Sequence, residues 1–223
     1  MKPTDVLSLP FEWGSAVRHA RIFHPRGVLL SGTVDRIAPE DRGLPLVSGP
    51  VVARFSKAVG LPGALPDIGG LALRVPSVDP SRPDWDVLLV TVYRGLLGRA
   101  ILRPVTSWQG PVFSTLAPLE HDGQTWWLRA RIDSRIDGGG LTLDGVAAQV
   151  RATGVEIDVE QALGTGDFEP LARLSLTGET PRGDVSFDPV RNRAPGVRLL
   201  PGWLNDLREA AYRRSREGRH ADV

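Results

Sequence analysis

Glycine and proline punctuate this sequence from one end to the other, 25 and 19 of them, without clustering into a linker. Such spacing suits many short strands joined by tight turns better than two domains on a tether. The clearest extended candidates alternate apolar and polar residues between these breaks. They are Val51–Ser56, Gly70–Val75, Asp86–Tyr93, Val112–Glu120, Thr125–Ile132, Val155–Glu160 and Leu171–Thr177. Arg21–Val34 also reads as extended, with Pro25 and Gly27 suggesting a bulge or an edge near its start. About eight strands that bury alternate residues suggest a closed antiparallel barrel, which removes sheet edges and can enclose a ligand at its mouth. The expected class is therefore α+β, mainly β: an eight-stranded barrel with a few helices, one of them C-terminal.

The whole of 1–223 is expected to form one domain. Residues 1–19 read as an N-terminal arm, and 178–223 as a wrapping segment followed by a helix that starts near Trp203, after the Pro201-Gly202 turn. Residues 94–106 read as a short helix or connector, and 134–154 as a loop with a strand. A net charge of +1 argues for neither a nucleic-acid nor a membrane partner. Cysteine is absent, which excludes disulfides, thiolate metal sites and cysteine nucleophiles. No window approaches the roughly 20 apolar residues of a spanning helix, and the first thirty residues hold no continuous apolar run. A cytoplasmic protein is the expectation.

Chemistry concentrates in a few places. On the final helix Arg208, Tyr212 and Ser215 follow one another at about one turn, with Arg219 roughly a turn further on. A cation beside a tyrosine hydroxyl favours the phenolate, an anionic ligand suited to ferric iron. The plainer reading is a basic amphipathic helix with Tyr212 packed as an ordinary aromatic. Near the other end His24 stands between Arg21 and Pro25-Arg26-Gly27. In the Arg54-Phe55-Ser56 stretch, Arg54 and Ser56 share one face of a strand. Each set has an ordinary explanation by itself: a turn histidine, a strand arginine with a partner.

Taken in order, these residues resemble the haem catalase superfamily, and within it the short catalase-like haem peroxidases. The likeness rests on Arg21/His24/Gly27, Arg54/Phe55/Ser56, Asp67/Gly70/Ala72 and Arg208/Tyr212/Arg219, spanning about residues 21 to 219. The resemblance implies haem b held by a Tyr212 phenolate as metal ligand, with Arg208 keeping it anionic. It implies His24 as the distal acid–base group, Ser56 hydrogen-bonded to its ring, and Arg21, Arg54 and Arg219 around the haem propionates. Arginine forks suit such carboxylates better than lysine. In a regular strand Arg21 and His24 face opposite ways, so the arrangement requires the bulge near Pro25.

Departures from the pattern also carry expectations. Where the family places a distal Asn a few residues after Trp-Asp, the stretch from Trp85-Asp86 offers Val90 or Thr91. Efficient dismutation of hydrogen peroxide is then not expected. The expected activity is a peroxidase reducing hydrogen peroxide or organic hydroperoxides with an organic donor. The alternatives are a haem-binding or haem-sensing protein with little turnover, and a barrel that holds another apolar ligand. The short arms suggest a smaller assembly than the family's interwoven tetramers, compatible with a homodimer.

Overall fold

The computed structural model describes residues 27–62, 65–77, 79–180 and 185–200. The N-terminal arm, the Pro25 bulge and the C-terminal helix expected from the sequence lie outside them. Ten strands follow in chain order: β1 (Gly27–Arg36), β2 (Gly49–Lys57), β3 (Gly69–Val75), β4 (Trp85–Val92), β5 (Val112–Ser114), β6 (Leu119–His121), β7 (Gln124–Ile132), β8 (Val155–Leu163), β9 (Glu169–Glu179) and β10 (Arg198–Leu199). Every pairing is antiparallel. The order β1-β2-β3-β4-β5-β7-β8-β9 returns to β1, so eight strands close a barrel. β6 and β10 extend the sheet beside the first residues of β7.

Alternation along the strands sets the inner wall. In β2, Val51, Ala53 and Phe55 are buried inward while Val52, Arg54 and Ser56 point out. Leu71, Leu73 and Val75 of β3, and Val87 and Leu89 of β4, follow the same rule. The interior is filled by side chains. Trp108 meets Phe55 edge-on, with ring centroids 5.3 Å apart, and stacks with Phe113 at 6.4 Å. All three are at most 1% exposed. This is the packed interior expected of a barrel of eight strands.

The sequence reading needs correction in two places. Residues 134–154 hold no strand; after a loop they form helix α1 (Leu143–Ala152), which packs on β1, β2, β8 and β9. Leu143, Val146, Ala147 and Val150 recur at i, i+3, i+4 and i+7, the helical period, with Thr142 at the N-cap position. Gly138-Gly139-Gly140 and Gly145 masked that signal. The extended run expected over 112–120 is broken into β5 and β6, because Leu116 takes φ 61° and Pro118 follows. The 94–106 stretch is a connector with a single 3-10 turn at Gly98–Ala100.

Two polar centres fix the loops to this frame. Arg36 donates all five guanidinium N–H groups to main-chain oxygens of Ala38, Pro39, Arg42, Leu44 and Leu46. That single side chain organises the 37–48 loop, which inserts Leu44 and Leu46 into the core. On the outer wall, Asp86 of β4 accepts a bidentate pair from Arg74 of β3 at 2.7 and 2.8 Å. The same carboxylate accepts from the Asp188 N–H and the Asn192 side chain, and so ties the 185–192 segment across the barrel. The hydrogen bond to Asp86 raises the Arg74 pKa above its ordinary value. Asp86→Ala is expected to cost about 2–4 kcal/mol, since it strands a partly buried guanidinium along with two further donors. Urea unfolding would measure the loss, and amide exchange should show lost protection concentrated at 186–192.

Candidate functional site

Arg54 and Ser56 project from the outer face of β2, as their strand phase requires. Register then decides what stands beside them. Ser56 pairs with Gly27 on one side and Gly70 on the other. Gly70 pairs with Val90, and Val90 with Ser114. One row across five strands thus reads Gly27, Ser56, Gly70, Val90, Ser114. The next row reads Leu29, Arg54, Ala72, Leu88. These small and aliphatic residues make a low wall, with Arg54 in the second row and Arg129, the β7 partner of Ser114, continuing the first. Ser56 and Ser114 are 5% and 1% exposed.

Gly27 and Arg54 are coupled by space. A Cβ at position 27 would fall 2.5 Å from Arg54 Nε and 2.9 Å from the Phe55 carbonyl oxygen. The arginine fork therefore lies where only glycine leaves room for it. Ser56 Oγ donates a long hydrogen bond, 3.4 Å, to the Gly70 carbonyl. The choice between Val90 and Thr91 is settled by phase. Thr91 faces inward with no exposure, accepting from the Gly69 N–H and donating to the Arg103 carbonyl. Val90 occupies the outer wall beside Gly70 and brings no proton donor to it.

Asp67, part of the same set of sequence motifs, works as a loop clamp. Its buried carboxylate accepts from the N–H groups of Val59, Gly60, Leu61 and Ile68 at 2.8–3.1 Å, which closes the β2–β3 turn. A shallow cleft adjoins the wall where the 189–199 segment crosses β4, lined by Leu88, Thr115, Leu119, Arg193 and Leu199 among others. Arg21, His24, Arg208, Tyr212 and Arg219 lie outside the described residues. Of the residues singled out in the sequence motifs, the structure therefore brings together Gly27, Arg54, Ser56, Gly70 and Ala72. Sequence reasoning missed Ser114, which only strand register could have put in the row with Ser56.

Among the described residues no group of three or more His, Cys, Asp or Glu side chains could hold a metal ion. No known protein family matches the sequence, and no curated protein does.

Proposed function

We propose that this protein is a haem-dependent peroxidase that reduces hydrogen peroxide or organic hydroperoxides at the expense of an organic electron donor. The observation that carries the reading is the outer wall of β1–β5: a flat run of Gly27, Ser56, Gly70, Val90 and Ser114 with the Arg54 guanidinium beside it. Two further facts support it. The barrel interior is filled by Phe55, Trp108 and Phe113, so a planar ligand would have to lie against the outside of the sheet. Glycine at 27 is also what the Arg54 fork needs, and both positions belong to the motif order running from Arg21 to Arg219.

The residues at hand fit haem b in kind. A porphyrin face needs an apolar wall without projecting side chains, and its carboxylates need cations. When bound, the group would supply a ferric iron able to take oxidising equivalents from a hydroperoxide and pass them to an organic donor. Tyr212 would be its ligand, with Arg208 holding the phenol oxygen anionic. His24 would move the proton between the peroxide oxygens, and Ser56 would orient the imidazole ring. In sequence His24 precedes Gly27 by three residues, and Gly27 is the strand partner of Ser56. Arg21, Arg54 and Arg219 would neutralise the carboxylates.

Val90 favours a second reading, a haem-binding or haem-sensing protein with little turnover. An aliphatic group there offers no second donor to a bound peroxide. Titration of the purified protein with haemin, followed by absorption, tests the proposal. One equivalent is expected to bind. Arg54→Gln is expected to weaken that binding about 10- to 100-fold, the usual effect of losing a charge-assisted pair, and haemin affinity is compared at a temperature where circular dichroism shows both proteins folded. Binding of haemin no tighter than to an unrelated barrel would end the proposal.

A further inference from the structure

The connector 93–103 has a surface that the proposed haem site does not use. Tyr93 is 49% exposed, Leu96 50%, Leu97 81% and Ile101 53%, four large apolar side chains within nine residues. Their exposure is built in. The Tyr93 N–H donates to the Ile101 carbonyl at 3.1 Å and closes the base of the loop, while Gly95 turns it at φ 88°. Arg99, only 7% exposed, pins it to the barrel: its guanidinium lies over Trp127 and Phe168, and Nη1 donates to the Gly164 carbonyl at 3.2 Å. Beside that contact, Leu163 adds a further apolar side chain at 47% exposure.

Charge says what would cover this surface. Between Asp86 and Glu120 the sequence holds no acidic residue, while Arg94, Arg99 and Arg103 all fall there. Arg94 is exposed and Arg103 half-buried. Aliphatic tips flanked by arginines match an anionic bilayer surface, where the tips enter the acyl boundary and the cations meet headgroup phosphates. A second copy of the chain fits less well. A two-fold contact would bring the arginines of this connector against their own counterparts with no carboxylate on the loop between them. Asp167 on the adjoining hairpin offsets part of the charge, so apolar insertion should contribute more than attraction at long range. No helix among the described residues is long and apolar enough to cross a membrane, and the contact meant here lies on the surface.

We propose that the 93–103 connector is a docking surface for an anionic lipid bilayer. The test sediments the full chain with phosphatidylcholine vesicles, with and without phosphatidylglycerol, and needs no haem. Wild type is expected in the pellet with the anionic vesicles. The bound fraction should fall roughly tenfold for Leu96→Ser/Leu97→Ser, and several-fold for Arg94→Gln/Arg103→Gln or for neutral vesicles. Because Leu96 and Leu97 are exposed, the thermal midpoint of the serine variant should not move. Wild type left in the supernatant with every vesicle would overturn the proposal, as would a serine variant that pellets like wild type. So would dimers on size-exclusion chromatography that the serine variant dissociates, since the patch would then be a protein interface.

Discussion

Gly32→Ala is expected to prevent the barrel from closing, with a loss of about 3–5 kcal/mol or failure to fold. The cause is space, not backbone conformation. Gly32 faces inward on β1 at the seam with β9, where the register shifts between Ser31 and Gly32: Ser31 pairs with Gly178 and Gly32 with Leu176. Thr177 is the extra residue of a β-bulge, and the bulge bends β9 hard over β1. A Cβ at position 32 would meet the Ser175 carbonyl oxygen and fall 2.8 Å from the Leu176 Cα. These are main-chain atoms of the neighbouring strand, so no rotamer change can relieve the clash, and overpacking of this kind reaches the top of the usual range. The same seam contains its own control. A Cβ at Gly178 would meet only the Ser31 hydroxyl, at 3.3 Å. Gly178→Ala should therefore change stability by about 1 kcal/mol or less. Urea midpoints and far-UV circular dichroism of the two variants decide the matter; equal stability would mean that the seam is not held by backbone contact at Gly32.

Much of the barrel could be read in advance because alternation and burial coincide. Val51–Ser56, Gly70–Val75 and Thr125–Ile132 each put an apolar residue at every second position, and each is a strand within two residues of the expected limits. Where period and composition disagreed, the reading failed. Helix α1 carries its apolar stripe over only ten residues, behind three glycines that argued for a loop. The break at Leu116 depends on a positive φ at a residue that seldom adopts one. Other features were beyond any local rule. Nothing in the vicinity of Arg36 marks it as a hub, because its five acceptors are carbonyls that exist only once the 37–48 loop has closed. Nor does the row of Ser56, Gly70, Val90 and Ser114 exist before four strands settle into register. For the site, phase was legible and company was not: Asp86, Leu88 and Val90 share a face, which excludes Thr91 from the outer wall, but only pairing brings Val90 beside Gly70 and Ser56.

With haemin bound, Tyr212→Phe is expected to remove the absorption that a phenolate ligand gives ferric haem, without abolishing haem binding. The two effects separate because they arise from different residues. In the proposed site, colour would depend on an anionic oxygen at Tyr212, whereas part of the affinity would depend on arginines such as Arg54, which stands on β2 beside Gly27. Arg54→Gln should therefore lower affinity and leave the spectrum of the bound form unchanged, the reverse of Tyr212→Phe. His24→Ala separates a third property. It should keep both colour and affinity but slow reaction with hydroperoxide about 10²- to 10⁴-fold, the range spanned by removal of a positioned acid–base group. Val90 makes that loss more visible, since the outer wall offers no side-chain donor at this position to take over the proton transfer. If the Tyr212→Phe spectrum equals that of wild type, the iron has another ligand or the haem sits elsewhere. If His24→Ala reacts as fast as wild type, the proton moves through solvent, and the likeness in sequence would reflect a retained fold without its chemistry.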